Sequence, residues 1–178
     1  YQLLENSHQN MFITGKAGSG KSTLLEYFRQ RTSKNIIILA PTGVAAIKAR
    51  GQTIHSFFRF PPRIILEDDV RPIKRMQKMM RQIDICLVDE SSMIRADVID
   101  AINRSFQINR GDSNPFGGVQ MVFIGDLFQL PPVVNVDEKE VMDQRYPDGP
   151  YFFNSNIFKS ANVGVYELTK VFRQNEDI

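Results

Sequence analysis

The eight residues Gly15–Ser22, G-K-A-G-S-G-K-S, restrict this chain more than any other feature of it. They satisfy G-x-x-x-x-G-K-[ST] in full, between an apolar run that reads as a strand (Met11–Thr14) and a segment that reads as a helix (Ser22–Gln30). Gly15, Gly18 and Gly20 permit backbone angles and close approaches that a side chain would block. The loop N–H groups can then converge on an anion, reinforced by the positive end of the following helix. The pattern predicts a triphosphate site made by Gly15, Ala17, Gly18, Ser19, Gly20, Lys21, Ser22 and Thr23. In it Lys21 reaches the outer phosphates and the Ser22 hydroxyl ligates Mg²⁺.

The rest of the chain repeats that strand–loop–helix rhythm. Short apolar runs recur at Ile36–Leu39, Ile85–Val88, Gln120–Ile124 and Val163–Leu168, apolar on both faces as buried parallel strands are. Helical spacing occupies Thr42–Lys48, Ile73–Ile83 and Ala96–Phe106. Alternation of this kind predicts an α/β fold, a mostly parallel sheet with helices on both faces. Two segments break the rhythm: Arg59–Pro72, expected to leave the sheet, and Pro131–Phe153, expected to be a long, poorly patterned connection.

Two strand ends carry further chemistry. I-C-L-V-D-E at 85–90 ends in paired carboxylates, of which Asp89 is expected to hold Mg²⁺ through water and Glu90 to act as general base for an attacking water. G-D-L-F-Q-L-P-P at 125–132 follows another strand, and the Gln129 amide can both donate and accept beside a γ-phosphate. Cys86, the sole cysteine, lies within an apolar run and reads as core, and two histidines leave little material for a zinc site. No run approaches the about 18 apolar residues of a membrane span. The first residues lack the basic and apolar regions of a signal peptide. Net charge is only +2, but residues 59–82 alone are +4, with seven Lys/Arg against three acids, so the positive excess is local.

Taken in order, the motifs resemble those of Pif-type helicases, the RecD-like 5′-to-3′ branch of superfamily 1. The likeness runs through G-K-A-G-S-G-K-S-T, A-P-T-G-V-A-A-I-K-A-R-G-Q-T-I-H-S-F-F, L-V-D-E-S-S-M-I-R-A-D-V-I-D, P-F-G-G-V-Q-M-V-F-I-G-D-L-F-Q-L-P-P-V and Y-E-L-T-K-V-F-R-Q, spanning residues 12 to 174. The resemblance implies a first RecA-like motor domain that uses ATP and Mg²⁺ and works on single-stranded DNA and DNA forks. It implies γ-phosphate contacts from Gln129 and Arg173, and DNA contacts from Pro41, Thr42, Gly43, His55, Ser56 and Phe57. It places a small strand-separating wedge at about residues 59–82, and leaves Gln2 and Gln9 as candidates to read adenine. A monomeric or weakly associating protein is implied, without membrane attachment, cytoplasmic in a bacterium and nuclear or mitochondrial in a eukaryote.

The sequence has no counterpart of a second motor domain and no initiating Met, so it is expected to be a piece of a longer protein. By itself the piece is expected to bind nucleotide, to hydrolyse it weakly or not at all, and not to unwind DNA. Two other readings stay open: a nucleotide-dependent DNA-binding module without productive hydrolysis, and an unrelated oligomeric P-loop ATPase.

Overall fold

A computed structural model describes residues 1–170. Its six strands are β1 (Met11–Thr14), β2 (Ile36–Ala40), β3 (Gln52–Thr53), β4 (Ile85–Val88), β5 (Gln120–Gly125) and β6 (Gly164–Glu167). They form one sheet in the order β3-β2-β4-β5-β1-β6, with every pairing parallel. Because every strand runs the same way, the loops after β1, β2, β4 and β5 all open at one carboxyl edge, where α/β sheets bind ligands. This is the P-loop α/β architecture that the loop motif predicts.

The strands separate two cores by simple alternation. Phe12, Leu39, Cys86, Val88, Met121 and Phe123 point to one face and Met11, Ile13, Ile38, Ile85, Leu87, Val122 and Ile124 to the other. The first face packs against α6 (Ala96–Arg110) through Val98, Ile99, Ile102 and Phe106. Gly111, at φ 70°, ends that helix four residues beyond the expected Phe106. The second face is covered by α1 (Gln2–Asn6) and α2 (Lys21–Arg31), through Leu4, Leu25 and Phe28. Cys86 is fully buried, and burial pushes its thiol up, as its reading as core requires.

Residues 59–83 leave the sheet as expected but return onto α6. Phe60, Ile65, Val70, Ile73, Met80 and Ile83 are all in the first core. The continuous helix expected over Ile73–Ile83 is not formed. There is a 3₁₀ turn at Lys74–Met76 and a short α5 at Gln77–Met80. The backbone there is bonded across the fold instead: Ile73 N–H donates to Asn109 Oδ1 at 2.6 Å, and the Met80 and Ile83 carbonyls accept from the Arg110 guanidinium.

Further elements lie where the sequence reading had none. β3 and α4 (Ile54–Phe58) follow α3 (Gly43–Lys48) directly, the Thr53 hydroxyl capping α4 by accepting from Ser56 N–H. Inside the supposed featureless connection, α7 (Lys139–Arg145) is anchored by buried Met142 and Tyr146. α8 (Asn156–Ser160) precedes β6, with Asp100 of α6 accepting from its first N–H groups.

Candidate nucleotide and nucleic-acid sites

The phosphate loop joins β1 to α2 as predicted. Gly15, Gly18 and Gly20 have φ of 154°, 80° and 91°. At Gly15 a Cβ would lie 2.6 Å from Ser19 Oγ and 2.7 Å from the Leu168 carbonyl, so only glycine fits between the loop and the end of β6. The Lys21 ammonium bends back to donate to the Gly15 and Lys16 carbonyls, arched over the loop. Ser19 is buried, and its hydroxyl is a polar atom without a protein partner.

This loop forms one wall of a cleft of about 900 Å³. Glu90 and Gln129 line the same cleft, so three segments far apart in sequence meet there. Lys48 joins them from the end of α3, its ammonium 4.0 Å from a Glu90 carboxylate oxygen. No spacing in the sequence marks Lys48; only the adjacency of β2 and β4 brings it to Glu90. Tyr1 and Tyr27 line the cleft too.

Asp89 and Ser22 share a smaller adjoining recess of about 230 Å³. Asp89 is 8% exposed, and burial raises its carboxyl above the usual range, opposed by the Glu90 N–H bond and the charges of Lys48 and Lys21. A desolvated carboxylate and a serine hydroxyl lining one recess are a fitting pair of donors for a hard cation that takes its other ligands from water and phosphate. Among the described residues no cluster of three or more His, Cys, Asp or Glu could hold a metal by itself. Glu90 has a left-handed backbone, φ 51° and ψ 41°, which turns the chain sharply after β4. Gln129 is exposed, and its amide donates to Asp126 Oδ2 at 3.0 Å.

Of the two glutamines, Gln9 lies at the amino end of β1, away from the loop. Its side chain accepts from the Tyr166 hydroxyl and its carbonyl from Gln120. Gln2 is exposed and follows Tyr1, which lines the cleft. Arg173 lies outside the described residues.

A second groove, about 340 Å³, opens beyond the end of β2. Pro41, Thr42 and His55 line it, with Arg95, Pro131 and Val133 from distant segments. Thr42 caps α3, its hydroxyl accepting from Ala45 N–H, and can still donate outward. Gly43 has no heavy atom within 4 Å of a notional Cβ, so the backbone there is open to a ligand. Ser56 is exposed on α4. Burial lowers the pKa of half-buried His55, and the charge of Arg95 lowers it further against the opposing pull of Asp97. Phe57 departs from its expected role: it is 4% exposed, packed on Phe58 at 4.8 Å between ring centres, and presents no face to a nucleobase. Its place in T-I-H-S-F-F belongs to the core because α4 turns Ile54, Phe57 and Phe58 inward together.

A profile described as PIF1-like helicase matches residues 2–178. ATP-dependent DNA helicase RRM3 of Saccharomyces cerevisiae is 33% identical over 98% of this chain, and ATP-dependent DNA helicase PIF1 of the same species is 35% identical over 99%. The chain covers 24% and 21% of those two proteins. A crystal structure of Pif1 helicase from Bacteroides, in complex with ADP-AlF3 and single-stranded DNA, superimposes with a TM-score of 0.91 at 42% identity, over 99% of this chain and 42% of that one. The ordered motifs, the RecA-like sheet and a match across nearly every residue agree, and the chain belongs to the PIF1-like helicase family.

Proposed function

We propose that this chain is the first RecA-like motor domain of an ATP-dependent 5′-to-3′ DNA helicase, binding MgATP in the large cleft and single-stranded DNA along the groove beyond β2. The observation that carries this reading is the convergence of the phosphate loop, Lys48, Glu90 and Gln129 on one cleft. The loop N–H groups and Lys21 receive the phosphates. Ser22 and Asp89 would hold Mg²⁺, which would neutralise phosphate charge when bound. Glu90 takes the proton of the attacking water. Gln129, released from Asp126, reaches the γ-phosphate, as Arg173 does from beyond the described residues. Gln2 is favoured over Gln9 for contacting the base, because Tyr1 beside it lines the cleft.

Pro41, Thr42, Gly43, His55 and Ser56 contact the strand through backbone, hydroxyls and the imidazole ring. The segment at about 59–82 is the wedge, its exposed Lys74, Arg75, Lys78 and Arg81 facing DNA while its apolar residues hold it to α6. Forked DNA is the natural substrate of such a combination. The protein would work in the cytoplasm of a bacterium, or in the nucleus or mitochondrion of a eukaryote.

The test is ATP turnover by the full-length protein with and without single-stranded DNA. Stimulation by DNA is expected, with turnover lost and ATP binding retained in Glu90→Gln. Turnover indifferent to DNA, or undiminished in the variant, would refute the assignment.

A further inference from the structure

The basic residues of the 59–82 segment do not sit beside the single-strand groove. Ile73 N–H is bonded to Asn109, next to the last residue of α6. Arg95, which lines the groove, stands before the first residue of that helix. The two points are about 20 Å apart along the helix axis. Asp84, just past the segment, donates its N–H to the Asn35 carbonyl, and its own carbonyl accepts from Gln120 N–H. The chain has there reached the amino ends of β2, β4 and β5. Lys74, Arg75, Lys78 and Arg81 therefore gather toward the amino edge of the sheet, opposite the edge that carries the cleft and the groove.

All four are exposed, and among the described residues none makes a hydrogen bond or an ion pair. Other cations of the fold are matched: Arg63 with Asp69, Arg95 with Asp97 and Glu138, Lys159 with Asp148. No acidic residue lies between Asp69 and Asp84, and Asp84 turns its carboxylate to Asn35. The backbone beneath the four is anchored, because Ile73, Met80 and Ile83 are core residues and Arg110 holds the Met80 and Ile83 carbonyls. Like charges fixed this closely repel one another, and a polyanion relieves that repulsion while shedding its own counterions.

The kind of polyanion follows from what the face lacks. Sites for single strands add aromatic rings on which bases stack. Here Phe60, Phe106 and Phe116 are all buried, and the apolar side chain exposed among the cations is Met79. A duplex hides its bases and offers phosphates alone, about one charge per 1.7 Å of its axis. We infer that Lys74, Arg75, Lys78 and Arg81 form a docking face for the backbone of double-stranded DNA, separate from the groove beyond β2. The inference rests on the DNA-helicase reading above and adds to it a second contact, to the unopened arm of a fork, on the far edge of the domain.

The experiment measures binding of a blunt duplex and of a short oligothymidylate to the full-length protein over a range of salt concentrations. One variant carries Lys74→Gln, Arg75→Gln, Lys78→Gln and Arg81→Gln together; a second carries Lys74→Arg, Arg75→Lys, Lys78→Arg and Arg81→Lys. The neutralised variant is expected to bind duplex at least about tenfold more weakly near about 0.1 M salt. The slope of log affinity against log salt should become shallower by about 3. The charge-keeping variant should match the parent, because phosphate contact here asks for charge and not for one side-chain shape. Oligothymidylate affinity should change by less than about twofold in both variants. Melting curves establish that each is folded. Equal losses for duplex and oligothymidylate would put the cluster on the single-strand track, and unchanged duplex affinity and slope would leave the face to an acidic protein; either overturns the inference. Failure of the parent to hold the duplex overturns it too. Failure of the parent to hold oligothymidylate overturns the groove reading instead and leaves the duplex comparison standing.

Discussion

Glu90 is a non-glycine residue in left-handed backbone at the turn after β4. That conformation costs about 1 kcal/mol for a side chain that gains nothing from it. The Lys48 pair offsets little, since at 4.0 Å with Lys48 64% exposed it is a weak, screened contact. Strain of this kind persists where surroundings over-determine the backbone, commonly at working sites. Asn tolerates left-handed angles better than Glu does. Glu90→Asn should therefore melt no lower than the parent chain while losing turnover in the full-length protein. A clearly lower melting temperature would show that the carboxylate stabilises the fold. Gly125 controls the same turn from β5: a Cβ there would lie 2.7 Å from Ser91 Oγ and 3.1 Å from Ser92 N. Gly125→Ala must push residues 91–92 away and shift Glu90 with them. Turnover should drop by at least about tenfold, while nucleotide affinity, set mainly by the loop after β1, changes much less.

His55 carries a pH dependence whose sign follows from its surroundings. Its folded pKa lies below the usual 6.5 because burial, and then Arg95, disfavour the imidazolium. The unfolded chain thus binds the proton more readily in the window just below 6.5, and its stability falls as pH drops through that window. His55→Asn, which cannot titrate, should flatten this part of the curve. Melting temperatures measured from about pH 7 down to about pH 5 in the two proteins test it.

At the scale of elements, the excursion at 59–83 is tied down by one buried charge cluster. Asp97, 1% exposed on α6, accepts two bonds at 2.9 Å from the Arg95 guanidinium and one at 2.9 Å from Ile65 N–H. Arg95 also donates to Glu138 and to the Arg63 carbonyl, and Glu138 accepts from Ile64 N–H at 2.6 Å. Removing Asp97 leaves a half-buried guanidinium and a buried N–H without their acceptor. Asp97→Ala should lose about 3 kcal/mol in denaturant unfolding. Proteolysis in the 59–83 segment should rise with it. None of this cluster is visible in the sequence, because its members are ordinary charged residues up to 75 positions apart whose meeting depends on tertiary packing.

The central strands were legible because burial on both faces leaves continuous Ile, Val and Phe runs. The short helices were not. α4 and α7 have five and seven residues, too few for a period to declare itself, and α5 carries apolar spacing that cross-bonding keeps from becoming a full helix. The phosphate loop, Asp89, Glu90 and Gln129 were legible through their motifs. Phe57 was misleading because a motif gives a position without saying which way the ring points. Lys48, Tyr1 and Tyr27 were missed because they reach the cleft only through the folded arrangement of α1, α2 and α3.

For the whole molecule, the sheet sets a gradient of rigidity. β4 and β5 are buried along their length and paired on both sides, whereas β3 has two residues and β6 alternates between half-buried and exposed at the edge. Amide hydrogen exchange should be slowest in β4 and β5 and fastest in β3 and β6. Protection in β6 matching that of β4 would contradict this ordering. The loop after β1 and the groove after β2 lie on the same sheet, separated by β5 and β4. Three strand spacings amount to about 14 Å. On the proposed reading, fuel and track are mounted on a single rigid bench at a fixed separation. A bench of this sort cannot shorten or lengthen between its two fixtures without tearing the hydrogen bonds of four strands. Its part in any stepping cycle is to hold still, and the stroke belongs to whatever body closes against it.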